Sequence, residues 1–148
     1  MKQIYKYLAT LGFVGYLPVA PGTFGSLAAM FLFLMLRLPF TAHLLVLALI
    51  TVIGIHSSSY TEKVLNEKDN SHIVIDEVAG FCLSVVLIPH DLAYYLAAFF
   101  LFRFFDILKP PPIRNIERSV AGGAGIVADD LMAGLYTNLI LQAWRILI

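Results

Sequence analysis

The stretch FRFFDILKPPPIRNIERSVAGGAGIVADD, residues 102–130, decides the architecture, because it is a polar connection between two apolar helical runs. Acidic residues stand at its two ends, Asp106 at the first and Asp129 and Asp130 at the second. Between them come basic residues, three consecutive prolines and a glycine-rich run. This pattern predicts two helices that hold a polar site at one end of a bundle.

The composition favours a membrane protein over a soluble domain. Of the 148 residues, 59% are hydrophobic and 14% are charged, whereas soluble domains carry about 45–50% and about 25%. Lipid is therefore the expected solvent for part of the apolar surface. The net charge is zero, and no basic patch is large enough to predict a nucleic-acid partner. Cys82, the single cysteine, is expected to be a buried apolar side chain.

The hydrophobic pattern predicts an all-α membrane bundle, a single membrane-embedded domain over residues 1–148. Segment 2–13 is expected to lie at the membrane interface. We predict about five crossings, at residues 24–38, 44–55, 73–88, 92–105 and 131–148. Several of these runs are shorter than the roughly 20 residues that a crossing needs, so their polar ends are expected to be buried inside the bundle.

Basic residues are distributed unevenly over the two ends of the predicted bundle. Eight of the ten Lys and Arg residues would lie on the side of the N-terminus, and Arg37 and Arg145 on the other. This bias predicts that the N-terminal side faces the cytoplasm. Nine of the ten acidic residues fall on that side too, so the candidate carboxylates are expected to converge there.

Two pairs of adjacent acids mark helix starts, Asp76–Glu77 and Asp129–Asp130. Capping explains one acid of each pair, but adjacent acids repel each other and point about 100° apart on a helix. A metal or substrate role is therefore favoured. Asp106 is predicted at a helix C-terminus, where the dipole opposes its charge. Either an ion pair with Arg103, three residues earlier, or a bound divalent cation would compensate.

The basic residues of the central stretch suit a phosphate. Lys109 precedes the prolines, and Arg114 follows what is predicted to be a stiff polyproline segment. A second phosphate element is the PGTFGS helix start, where Thr23 or Ser26 would cap and the first amides could bind an anion, although plain capping explains it equally well. Carboxylates favour Mg²⁺, so the residues together predict metal-assisted phosphoryl chemistry at a membrane surface.

Four segments, in this order, resemble the phosphatidylglycerophosphatase A family: GYLPVAPGTFGSLAA (15–29), IVIDEVAG (73–80), FRFFDILKPPPIRNIER (102–118) and GGAGIVADDLMAG (122–134). The resemblance implies a Mg²⁺-dependent enzyme of the bacterial inner membrane that removes the terminal phosphate of phosphatidylglycerophosphate. It implies that the active site includes five acids, Asp76, Glu77, Asp106, Asp129 and Asp130. Thr23, Arg103, Lys109 and Arg114 would lie near it. The loop 56–72 matches poorly and leaves the roles of His56 and Glu62 open.

Two other function classes share some of these features. An ion-coupled transporter also carries intramembrane acids, but usually near mid-bilayer rather than at one boundary. A lipid head-group transferase would share the metal, but the Asp-Gly-x-x-Ala-Arg pattern of the CDP-alcohol transferases is absent. Because the chain has no familiar phosphatase nucleophile motif, attack by a metal-activated water is favoured over an aspartyl-phosphate on Asp76 or Asp129.

Overall fold

A computed structural model describes residues 2–65 and 70–147 and shows an all-α bundle, as predicted, with no strand in these residues. Seven α-helices and one short 3₁₀ helix, Val14–Tyr16, occur in the described chain. The α-helices are α1 (Lys2–Ala9), α2 (Pro21–Met35), α3 (Phe40–Leu65), α4 (Ile75–Ser84), α5 (Leu92–Leu108), α6 (Ile113–Ser119) and α7 (Gly123–Leu147).

Helix α4 is the centre of the bundle, with α2, α3, α5 and α7 packed around it. Nine of its ten residues are buried. Phe81 of α4 meets Phe102 of α5 edge to face, with ring centroids 6.3 Å apart, and both rings are fully buried. Cys82 is buried as predicted.

Glycines bring α4 and α7 into close contact. A Cβ atom placed on Gly134 of α7 would lie 2.2 Å from the carbonyl oxygen of Gly80 in α4. Real Cβ atoms do not approach a backbone oxygen so closely, so only glycine allows this crossing. The contact fixes the position of α4 against the helix that carries Asp129 and Asp130.

Helix α4 ends inside the bundle, and α7 supplies the partners for its last carbonyls. Asn138 donates to the carbonyls of Ser84 and Val86, at 3.1 and 2.8 Å. Gln142 also donates to Val86, at 3.1 Å, and Arg145 donates to Leu87, at 2.8 Å. Since an unpaired carbonyl is costly away from water, these polar residues of α7 allow a short helix to stop within the apolar interior.

The two histidines near the same end of the bundle make similar contacts. His43 Nε2 lies 2.9 Å from the carbonyl oxygen of Cys82, and His90 Nε2 lies 2.8 Å from that of Leu34, close to the end of α2. These bonds pair carbonyls near the ends of two short helices. His43 and His90 therefore have a structural role, because their rings pair with these carbonyls.

Within the described residues, two helices are long and apolar enough to cross a membrane, Phe40–Val64 in α3 and Gly123–Leu147 in α7, and α2 is a shorter apolar helix. The observed boundaries differ from the predicted crossings. The second run continues through His56 to residue 65, the third is a ten-residue helix, and the last begins at Gly123 rather than residue 131. A ten-residue helix is about 15 Å long, about half the thickness of the hydrocarbon layer. Part of the predicted loop, residues 66–69, lies outside the described chain.

Candidate active site

The polar ends of four helices enclose a cavity of about 320 Å³. We call it the polar cavity. It is formed by the start of α2, the start of α4, the end of α5 and the first turns of α7, together with residues just before α4. Its charged lining residues are Asp76, Glu77, Arg103, Asp106, Lys109, Asp129 and Asp130. The structure thus brings all five predicted acids and two of the three predicted cations to one cavity.

Three of these acids form a compact group that we call the carboxylate cluster: Asp76, Glu77 and Asp130. One carboxylate oxygen from each lies within 4.8 Å of the others, and no residue of the three is more than 9% exposed. Each residue also has one buried oxygen with no hydrogen-bond partner among the described residues, namely Asp76 Oδ1, Glu77 Oε2 and Asp130 Oδ2. Buried carboxylates that repel one another and lack donors need a positive ligand.

Hard oxygen donors of this kind fit a divalent cation such as Mg²⁺ or Ca²⁺. The three orphaned oxygens are the observation that supports the fit, since an acidic group held only by capping would have its oxygens paired. The donor set contains no sulfur or imidazole in the described residues, which disfavours zinc and copper.

The other two acids of the polar cavity are held by basic side chains. Asp106 pairs with Arg103, whose Nη1 atom also lies 3.6 Å from Glu77 Oε1. Asp129 accepts a hydrogen bond from Lys109 Nζ at 2.6 Å. The ion pair predicted as one alternative for Asp106 is therefore present. A direct metal role for Asp106 and Asp129 stays a prediction, because these two lie outside the carboxylate cluster.

Adjacent acids on α7 take different partners, as the helical rotation between neighbours predicts. Asp129 turns towards Lys109, whereas Asp130 turns towards Asp76 and Glu77. The Asp129 side chain also accepts the backbone N–H of Asp130 at 3.0 Å. Asp129 thus pairs with Lys109, and Asp130 belongs to the carboxylate cluster.

Lys109 reaches Asp129 through an unusual backbone conformation. It is the C-cap of α5 and has φ 45°, in the left-handed region that glycine normally occupies at helix ends. An L-residue in this region costs roughly 1–2 kcal/mol. The turn ends α5 and directs the ammonium group back over the cavity.

Comparison with known proteins identifies the family of this chain. The family model described as phosphatidylglycerophosphatase A matches residues 7–145. This chain belongs to the phosphatidylglycerophosphatase A family. No solved structure matches it.

Curated relatives of the family align with most of the chain. A phosphatidylglycerophosphatase A of Escherichia coli K12 is 40% identical over 138 residues, which cover 91% of this chain and 80% of the relative. A phosphatidylglycerophosphatase A of Haemophilus influenzae is 37% identical over 147 residues, with coverage of 95% and 90%. A putative phosphatidylinositol-3-phosphatase of Bacteroides thetaiotaomicron is 37% identical over 140 residues, with coverage of 88% and 87%.

In this family member, the start of α2 differs from the prediction. The N-cap is Ala20, with φ 45°, and no side chain caps the helix, so the predicted caps Thr23 and Ser26 were wrong. Ser26 is fully buried and donates to the carbonyl of Gly22 at 2.8 Å. Pro21 has no N–H, and the amides of Thr23 and Phe24 both donate to Ala20. Of these first amides in the described helix, only that of Gly22 is left for an anion.

The prolines form a turn rather than the predicted polyproline rod. Pro110–Pro112 bend the chain, and α6 begins at Ile113. Arg114 is exposed on α6, donates to the carbonyl of Leu108 at 3.4 Å, and is not among the residues that line the polar cavity. Thr23 and Ser26 also lie outside that lining. Substrate contacts of these three residues stay predictions.

The glycine-rich run before α7 has a packing role in the structure. The N–H of Gly123 donates to Ser59 Oγ of α3 at 3.1 Å, and a Cβ there would lie 2.4 Å from the carbonyl oxygen of Ile55. Gly122 has φ +74°, which favours glycine. These contacts join α7 to α3 without a phosphate. His56 is exposed on α3.

Sequence reasoning did not single out Gly22, Asn70 or Ser71, which also line the cavity. A Cβ atom on Gly22 would lie 2.0 Å from Glu77 Oε1, so this glycine touches the carboxylate cluster directly. The Pro-Gly-Thr signal indicated a turn, and nothing in the sequence indicated a contact with a residue 55 positions away.

Proposed function

We propose that this protein hydrolyses the terminal phosphomonoester of phosphatidylglycerophosphate to phosphatidylglycerol and phosphate. Membership of the phosphatidylglycerophosphatase A family supports this substrate. The structural observation that carries the proposal is the polar cavity, where a cluster of buried carboxylates, each with one oxygen unpaired among the described residues, lies beside Arg103 and Lys109. Cation-binding acids beside basic groups are what the transfer of an anionic phosphoryl group requires.

We propose Mg²⁺ as the cofactor, held by Asp76, Glu77 and Asp130. When bound, this ion would polarise a phosphate oxygen and lower the pKa of a coordinated water. Asp106 and Asp129, also proposed as metal ligands and catalytic groups from the sequence, are close enough to line the same cavity. Their ion pairs set the charge balance around the cluster.

The residues of the cavity account for the chemical requirements of hydrolysis. A water oxygen forms the new bond to phosphorus, the bond to the glycerol oxygen breaks, and one proton moves from water to that oxygen. Asp76, Asp106, Asp129 and Asp130 are the carboxylates proposed to hold or pass this proton. Arg103 and Lys109 are proposed to attract the phosphate and to offset the charge that develops on its oxygens.

We propose that the enzyme is embedded in the bacterial inner membrane with the polar cavity on the cytoplasmic side. Only 17% of the apolar stretch of helix α3 is buried, and Leu45, Leu49 and Val52 on it are 72%, 59% and 54% exposed. An apolar surface of this extent suits lipid contact. The bias of eight basic residues to two supports the orientation. Single cysteines at His90 and Ser119 should be labelled from opposite sides in a Cys82→Ala chain, and labelling from one side would refute the orientation.

The test of function is phosphate release by the purified protein in detergent micelles. Phosphatidylglycerophosphate should be hydrolysed with Mg²⁺ present, and a chelator should stop the reaction reversibly. Asp76→Asn should lower turnover at least about a hundredfold. Asp91→Asn is the matched control, because Asp91 only caps α5 at the other end of the bundle and asparagine caps equally well.

Phosphatidylinositol 3-phosphate is the comparison lipid, since one relative is named for it. Release from this lipid and none from phosphatidylglycerophosphate would overturn the proposed substrate. Full turnover in the chelator after extensive dialysis would overturn the metal role.

A further inference from the structure

Glu77, at the edge of the carboxylate cluster, has two close neighbours at one of its oxygens. Its Oε1 atom lies 3.6 Å from Arg103 Nη1. The Cα atom of Gly22 lies near the same oxygen, so closely that an added Cβ would be 2.0 Å from Oε1 and 3.3 Å from the same Arg103 nitrogen. The second oxygen, Oε2, is buried and has no hydrogen-bond partner among the described residues.

The contact with Glu77 explains why residue 22 is glycine. Its backbone is not in the left-handed region, since the positive-φ glycines of the described chain are Gly12 and Gly122. Any L-residue could therefore adopt this conformation. Glycine within a helix also reduces stability relative to alanine. A side chain here would meet the Glu77 carboxylate and displace it.

Arg103 is committed to carboxylates from two helices. Its Nη1 atom pairs with Asp106 of its own helix α5 and contacts Glu77 of α4. The Arg103 side chain is 16% exposed, so the rest of the bundle restrains it. A guanidinium fixed in this way can hold one Glu77 oxygen in a single position.

We propose that the absence of a side chain at Gly22 lets Glu77 Oε1 lie against Arg103, and that this contact, which we call the clamp, directs Oε2 towards Asp76 and Asp130 as a metal ligand. The clamp rests on the metal site of the proposed function and adds two positioning residues to it. Gly22 leaves space for Glu77 Oε1 because it has no side chain, and Arg103 attracts this oxygen by its positive charge. Arg103, predicted from the sequence to bind substrate, thus acts on the metal ligand as well.

The experiment measures Mn²⁺ binding to the purified, metal-free protein in detergent by titration calorimetry, without substrate. Gly22→Ala places a methyl group against Oε1 and should weaken binding roughly 10–100-fold, as loss of outer-sphere support does at metal sites. Glu77→Asp shortens the side chain and withdraws it from Gly22. Adding Gly22→Ala to Glu77→Asp should then weaken binding by less than about threefold, a coupling that a double-mutant cycle measures.

Gly54→Ala is the matched control. It is also a helical glycine, but its Cβ would meet the side chains of Val127 and Ile75, at 3.2 and 3.8 Å, with no carboxylate within 4 Å. The Gly54→Ala variant should therefore bind Mn²⁺ as the unmodified protein does. If Gly22→Ala does not fold but the double variant folds and binds, the clamp is supported. If neither folds, Gly22 serves backbone packing and the clamp is wrong.

Other outcomes separate the clamp from the metal site itself. Unmodified protein that binds Mn²⁺ and releases phosphate, together with Gly22→Ala of equal affinity, overturns the clamp alone. Equal weakening by Gly22→Ala in the unmodified protein and in the Glu77→Asp variant also overturns it. Unmodified protein that binds no divalent ion overturns the metal site of the proposed function, and the clamp with it.

Discussion

The cap that α7 provides for the end of α4 can be tested by removing its donors one at a time. Among the described residues, only Asn138 donates a side-chain hydrogen bond to the carbonyl of Ser84. The carbonyl of Val86 accepts hydrogen bonds from both Asn138 and Gln142. Asn138→Leu keeps the side-chain size but leaves the buried Ser84 carbonyl unpaired, which costs about 1–3 kcal/mol. Gln142→Leu leaves Val86 bonded to Asn138 and should cost at most about 1 kcal/mol.

The free energy of unfolding is the measurement, obtained from reversible SDS titration in mixed micelles and followed by far-UV circular dichroism. Leu139→Ala is the control, because Leu139 is 56% exposed and lies next to Asn138 in the chain without contributing a donor to the cap. Its effect should be below about 0.5 kcal/mol. If Gln142→Leu destabilised the protein as much as Asn138→Leu, the carbonyl cap would not be what holds α4 in place.

The remaining predictions concern packing, metal and substrate. Gly134→Ala should destabilise the protein by more than about 3 kcal/mol, because the added Cβ would lie 2.2 Å from a backbone oxygen. In the control Gly54→Ala, the added Cβ would lie 3.2 Å from a side chain, and stability should change by less than about 1 kcal/mol. Equal shifts of the thermal unfolding temperature in the two variants would contradict this prediction. Asp130→Asn should lower kcat/KM at least about a hundredfold and be partly rescued by raised Mg²⁺, and unchanged turnover at limiting Mg²⁺ would refute its role. Lys109→Ala should lower kcat/KM at least about tenfold, but Arg37→Ala, at an exposed residue beyond the far end of α2, by less than about twofold. Similar losses in the two steady-state assays would contradict a specific role of Lys109.

The helical fold could be predicted from the apolar runs, but several helix boundaries could not. The prediction stopped the second helix before His56 and its three serines, because polar residues usually end an apolar helix. In the structure this segment packs against α7, where Ser59 receives the amide of Gly123. The prediction also extended α4 to residue 88, because the donors that let it stop early lie more than 50 positions along the chain.

The acids of the site could be named from the sequence because their charge is costly in an apolar chain. Their division into a cluster and two ion pairs could not, since it depends on which helix faces meet. Thr23 and Ser26 illustrate the limit of local rules. Both are good caps, but Pro21 and the left-handed Ala20 start α2 earlier and leave these hydroxyls within the helix.

The substrate role proposed for Lys109 would set stability against catalysis at the end of α5. A chain selected for folding alone would carry glycine at the end of α5, because glycine adopts φ 45° without the strain that lysine bears there. The pair of Lys109 with Asp129 is partly exposed, and a partly exposed ion pair contributes little stability. The proposed contact with the phosphate would account for a lysine at this position. Screens for a more stable enzyme should select glycine at this position and lose activity, which marks residue 109 as one to hold fixed during stabilisation.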